Sequence, residues 1–176
     1  MKKIHLFLAF MLIILNVACQ SPRPDKQVID SKRYPDAKPD SYWKKKLSPE
    51  AYNILVNRGT EPPFKNPYWN NHQKGVYVSA ATGKPLFTSD DKFESGTGWP
   101  SFTKPINDKD ISIVKDTSFG LVRDEVVESS TGLHLGHLFD DGPAPTFKRF
   151  CMDSYAFKFI PAEKKRNTHI NRDTIK

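Results

Sequence analysis

The segment Arg149-Phe150-Cys151-Met152-Asp153 places a thiol between a guanidinium and a carboxylate. On an extended strand alternate side chains share a face, so Arg149, Cys151 and Asp153 point one way and Phe150 and Met152 the other. A thiol beside a guanidinium is driven toward thiolate, the nucleophilic form. Asp153 works against this, because a like charge nearby raises a thiol pKa. The competing reading is a buried, inert cysteine that packs as a small hydrophobe. The segment alone leaves the two open.

Leu133-His134-Leu135-Gly136-His137 holds two histidines three apart. They face opposite sides of a regular strand, but Gly136 permits a bulge or turn that brings them together. Such a pair can ligate a metal, donate protons or do neither. A zinc site wants three or four protein ligands. Beyond the pair, Cys151 is the obvious soft ligand, while His72 and His169 fall in a loop and a tail. The ligand count therefore argues against a metal-dependent hydrolase. Gly98-Trp99-Pro100-Ser101-Phe102 sets a tryptophan on a Gly/Pro loop, either as a core plug or as the wall of an apolar pocket. Thioether and methyl groups contact such rings favourably, by ~0.3–1.5 kcal/mol.

The elements that must hold these groups read as a β domain. Gly75-Val76-Tyr77-Val78 and Pro85-Leu86-Phe87-Thr88 flank the turn-like Thr82-Gly83, and residues 111–114 and 121–127 alternate at period two. Residues 148–160 alternate for longer. Ahead of them, Ser48 is a candidate N-cap and Pro49 suits the first helical position. A short helix then runs to about Asn57, ended by Gly59. Loops rich in Gly and Pro lie between, and no repeats occur.

Residues 1–18 carry Lys2 and Lys3, an unbroken apolar run from Leu6 to Leu15, and small residues before Cys19. The run is shorter than the ~20 residues a bilayer span needs. It reads as an export signal rather than a transmembrane helix. Leu15-Asn16-Val17-Ala18-Cys19 resembles a bacterial lipobox, which implies cleavage before Cys19 and lipidation of its thiol, although Asn16 departs from the usual apolar residue. An ordinary signal cut near Ala18 is the alternative. Two or three acyl chains suffice for stable anchoring. Residues 19–43 hold many Pro, Lys, Asp and Ser and read as a disordered tether. The domain spans 44–161, and 162–176 reads as a polar tail.

The net charge of +7 divides unevenly along the chain. Residues 1–18, 19–47 and 162–176 carry +2, +4 and +3, which leaves the body at −2. A groove that tracks phosphates needs basic charge on the folded body, so nucleic-acid binding is not expected. The cysteines number two, Cys19 and Cys151, and their positions suggest different fates, so no structural disulfide is expected.

A set of segments runs in a familiar order: Leu47-Ser48-Pro49-Glu50-Ala51-Tyr52, Gly59-Thr60-Glu61-Pro62-Pro63-Phe64, Pro85-Leu86-Phe87, Lys92 through Phe102, His134 through Phe139, Asp141 through Thr146, and Arg149-Phe150-Cys151. Together they resemble the peptide methionine-R-sulfoxide reductases, the B-type methionine sulfoxide reductases, across roughly residues 44–161. The resemblance implies a mainly β fold of two antiparallel sheets, the β-tent or Mss4-like arrangement, with short N-terminal helices. It implies that Cys151 is the nucleophile attacking the sulfoxide sulfur and passing through a sulfenic acid. His134 and His137 would position and help protonate the oxygen, Trp99 would hold the substrate methyl, and Arg149 and Asp153 would line the substrate site. Sulfoxide oxygen leaves poorly until protonated, so an acid near the nucleophile is chemically required.

Three departures matter. Many relatives hold zinc with two Cys-x-x-Cys pairs; the corresponding positions here are Ser79, Thr82, Glu128 and Thr131, which implies no metal. Many place a resolving cysteine where this chain has Thr97, which implies reduction by an external thiol such as a thioredoxin-like protein. Asp153 stands where Asn is common, and a carboxylate cannot donate a hydrogen bond unless protonated. The expectation is a lipid-anchored envelope enzyme, monomeric, that repairs oxidised methionine in proteins. The rival is a non-catalytic envelope lipoprotein that keeps the fold and binds a peptide or small ligand.

Overall fold

Ser48 and Pro49 start a helix as their types suggest. The Ser48 hydroxyl accepts from the Ala51 N–H at 3.2 Å, and the helix α2 runs Pro49–Leu55. The computed structural model describes residues 32–163. The export signal, Cys19, most of the tether and most of the polar tail lie outside the described residues. None of the described helices is long and apolar enough to cross a membrane.

A first helix, α1, spans Asp40–Lys46 and buries Trp43 at 2% exposure. Upstream of it, the Asp36 N–H donates to the Ser130 carbonyl at 2.8 Å, and Tyr34 lies close against Gly132. The polar composition of this stretch suggested a tether up to residue 43, yet single aromatic residues are enough to dock its last part on the body.

The strands are β1 (Gly75–Ser79), β2 (Pro85–Thr88), β3 (Lys92–Phe93), β4 (Ser101–Phe102), β5 (Ile111–Asp116), β6 (Arg123–Glu128), β7 (His134–Phe139), β8 (Arg149–Met152) and β9 (Phe157–Pro161). They form two antiparallel sheets, β2-β1-β9 and β3-β4-β8-β7-β6-β5. One apolar cluster joins them: Tyr77, Leu86 and Phe87 come from the small sheet, and Phe102, Val126, Leu135, Phe150 and Met152 from the large one, with Ile54 and Leu55 of α2 against it. Phe87 and Phe102 stack with centroids 4.6 Å apart, close to the favoured offset geometry.

The long alternating run over 148–160 is not one strand. It divides at Asp153 into β8 of the large sheet and β9 of the small one, joined by a 3-10 turn at Ser154–Ala156. In β8 Arg149, Phe150 and Met152 are buried and Cys151 half-buried, whereas in β9 Phe157 alone is buried. The break itself is held by distant partners: the Asp153 N–H donates to Leu135 at 2.9 Å, and the Ser154 N–H to the Glu61 side chain.

A polar knot also bridges the sheets. Glu128 of β6, fully buried, accepts from Ser79 of β1 at 2.9 Å and from Thr82 and Thr131 at 2.5 and 3.4 Å. These are the four positions where the family resemblance raised the question of zinc. They do converge, but the donor set does not fit that ion: it has no thiolate or imidazole, and the three hydroxyls are turned to a single carboxylate.

Candidate active site around Cys151

Strand β8 alternates as its residue types dictate. Phe150 and Met152 enter the core, while Cys151 is half-buried on the opposite face. Cys151 pairs in register with His137 of β7 on one side and Ser101 of β4 on the other. Its Sγ lies 3.9 Å from the Thr97 hydroxyl. Thr97 in turn hydrogen-bonds Ser95 at 2.8 Å, and Ser101 donates to Ser95 at 2.8 Å. The thiol therefore ends a short row of hydroxyls. Burial pushes its pKa up, and Asp153 adds to that rise, while the Arg149 charge and the Thr97 hydroxyl oppose it.

Arg149 is clamped bidentate by Asp141, with Nε and Nη2 donating at 2.8 and 2.9 Å, and its guanidinium lies 4.3 Å over the Phe139 ring. Fork-to-carboxylate bonding fixes the orientation of the cation, and its charge acts on the Cys151 thiol.

Gly136 brings the histidines together as its position suggests. Its φ is +152°, and an added Cβ would meet the Cys151 carbonyl oxygen at 2.3 Å. The β6–β7 pairing shifts register between Val126 and Val127. The two imidazole centroids end 5.3 Å apart, where a regular strand would put them on opposite faces. Their environments differ. His137 is half-buried, and its Nε2 donates to Asp116 of β5 at 3.0 Å. Burial lowers its pKa, against the Asp116 contact. Burial alone would raise the Asp116 pKa, but hydrogen bonds from Ser118, His137 and Arg123 together carry it well below the carboxylate range. His134 is 2% exposed, with Nδ1 2.6 Å from Glu125 and Nε2 3.2 Å from Asp153. Arg58 forms an ion pair with the far oxygen of Glu125.

Asp153 is 3% exposed and bonds His134, so it neither faces solvent nor pairs with Arg149. Its other neighbour is Glu61, whose carboxyl accepts the N–H of the following residue, Ser154, and whose pKa burial and then the Asp153 charge raise. Glu61 also accepts the Trp99 indole N–H at 3.1 Å through its backbone carbonyl. That bond orients Trp99, half-buried, along a small cleft shared with Phe64, Trp69, Ser95 and Gly96. Gly98 makes the bend: its φ is +88°, and a Cβ there would press on Pro63 and Phe64 within 2.9 Å.

Cys151, His134, His137, Arg149, Asp153 and the Thr97–Trp99 loop thus gather at one place. Sequence reading missed Glu61, Glu125, Asp116 and Arg58. Glu125 lies on β6, which pairs directly with the histidine-bearing β7, and Asp116 lies one strand beyond it on β5. For Glu61 and Arg58 no local signal exists.

A small two-sheet β domain with a half-buried thiol, an arginine beside it and an aromatic cleft defines a thiol-dependent enzyme site. The SelR domain matches residues 47–161 of the chain. A peptide methionine sulfoxide reductase MsrB of Methanosarcina barkeri is 50% identical over 127 residues, covering 72% of this chain and 89% of that protein. The chain belongs to the SelR, or MsrB, family.

Proposed function

We propose that the protein reduces the R epimer of methionine sulfoxide in oxidised proteins or peptides, as a peptide-methionine (R)-S-oxide reductase with Cys151 as nucleophile. The observation that carries this reading is the half-buried Cys151 thiol, set between Arg149 and Thr97 at the edge of the Trp99 cleft in a SelR domain. The Cys151 thiolate attacks the sulfoxide sulfur. The oxygen passes to Sγ and takes up a proton, methionine leaves, and Cys151 becomes a sulfenic acid. The sulfoxide sulfur gains two electrons and Cys151 loses them. Trp99 holds the methyl group by dispersion. His137 and the Asp153–His134 pair supply the polar side of the site, and Arg149 favours the thiolate.

Thr97 lies 3.9 Å from Sγ, and its hydroxyl cannot form a disulfide. An external thiol therefore attacks the sulfenic acid, releasing water, and a second thiol frees Cys151 from the mixed disulfide. The Glu128 knot takes the place of a structural zinc. The leader through Cys19 exports the protein and anchors it by lipid to a membrane of the cell envelope, where the chain acts as a monomer.

The decisive experiment is a turnover assay on separated R and S epimers of a methionyl sulfoxide peptide, with dithiol reductant, for the wild type and Cys151→Ser. Turnover of the R epimer alone, abolished in Cys151→Ser, is expected. Equal turnover of both epimers, or of neither, overturns the reading, and the latter favours a non-catalytic ligand binder.

A further inference from the structure

Glu61 and Asp153 meet in the interior, 6% and 3% exposed. One oxygen of each is accounted for: Oε1 of Glu61 accepts the Ser154 N–H, and Oδ2 of Asp153 meets His134 Nε2. The remaining two, Oε2 of Glu61 and Oδ1 of Asp153, are buried without any donor, and the Ser154 N–H holds the Glu61 carboxyl at the residue that follows Asp153. Two ionised carboxylates cannot satisfy one another, because each only accepts. A buried pair of like charges is also the arrangement that most strongly retains a proton.

We propose that Glu61 and Asp153 share one proton between these two oxygens, which turns Asp153 into a hydrogen-bonded, half-neutralised group beside Cys151. Glu61 is then a positioning residue that acts through Asp153. The proton does for this chain what an amide side chain at position 153 would do, satisfying a neighbouring acceptor and limiting negative charge near the thiol. The groups around the pair are His134 on β7 and Cys151 on β8 with Arg149 beside it. Glu125 on β6 and Arg58 after α2 stand behind His134. Burial first, and then the Asp153 charge, raise the Glu61 pKa to about 8, against the Ser154 N–H. The proton therefore stays through neutral pH and leaves in mildly alkaline solution.

The consequence for the thiol has a sign. In the wild type one negative charge is spread over both carboxyls. Glu61→Gln confines a full charge to Asp153, next to Cys151. Asp153→Asn confines it to Glu61, farther along. Each variant keeps the hydrogen bond, with an amide N–H in place of the shared proton.

The effect on catalysis rests on the reductase reading, but the test does not use turnover. Infrared difference spectra of the full-length protein, wild type minus each variant, are expected to isolate the carbonyl band of a buried protonated carboxyl at neutral pH. That band fades as the pH passes about 8. The rate of Cys151 alkylation at pH 7, where the pair still holds its proton, is expected to fall in Glu61→Gln and to rise in Asp153→Asn. Absence of the band from the wild type overturns the proposal, as does an alkylation rate at pH 7 that does not fall in Glu61→Gln or does not rise in Asp153→Asn. Either variant alone still tests the proposal if the other fails to fold, and neither readout depends on which epimer is turned over.

Discussion

Glu61 shows how one side chain can serve a site from the far end of a loop. Its backbone carbonyl orients Trp99, its carboxyl closes the turn at Ser154, and the same carboxyl meets Asp153. Its raised pKa also has a consequence for folding. Between the ordinary carboxylate range, near ~4.3 in the unfolded chain, and about 8, the folded protein holds a proton that the unfolded chain has released. The stability this group contributes is thus complete in acid and is lost as pH rises through about 8. Melting temperatures taken from acid to mildly alkaline pH should fall along that range in the wild type. The fall should be shallower in Glu61→Gln. An equal slope in both would show that Glu61 does not carry the proton. Nothing local in Thr60-Glu61-Pro62 foretells this, because the partner of Glu61 is 93 residues away at Ser154.

At the level of elements, β6 does two jobs with two buried acids. Glu125 turns toward His134, and Glu128 ties the large sheet to β1 of the small one. The register shift between Val126 and Val127 lets both acids point inward, where a regular strand would send residues three apart to opposite faces. Glu128→Ala leaves the hydroxyls of Ser79, Thr82 and Thr131 without their acceptor. Hydrogen bonds to a charged group and the burial of orphaned donors together put the loss at about 3 kcal/mol, measurable by urea unfolding. A loss under about 1 kcal/mol would mean that the apolar cluster alone holds the sheets together. The division of 148–160 belongs to this scale too. Alternation revealed that the residues are extended, but the change of sheet at Asp153 depends on Glu61 and Leu135, which belong to other parts of the chain.

For the whole molecule the basic excess lies in the flanks and not on the body. A short polar segment separates Cys19 from Tyr34, which lies against Gly132. On the proposed reading, in which Cys19 carries a lipid, this segment would let the domain reach oxidised side chains on proteins near the membrane surface. Cys19→Ala is expected to move the protein from the membrane fraction to the soluble fraction, with peptide turnover unchanged. Retention in the membrane fraction would rule out a lipid on Cys19 as the anchor.

The sequence by itself determined the β class, the capped helix at Ser48, the face shared by Arg149 and Cys151, and the meeting of His134 and His137 through Gly136. Each of these follows from periodicity, turn chemistry or a residue's own backbone freedom, all of which are local. Only the tertiary structure decided that Asp153 turns from Arg149 to His134 and Glu61, that Asp116 holds His137, and that Glu128 gathers three hydroxyls. Acids carry no spacing rule for their partners. Their places are set where loops close between two sheets, and there a buried carboxyl must find a donor or keep a proton.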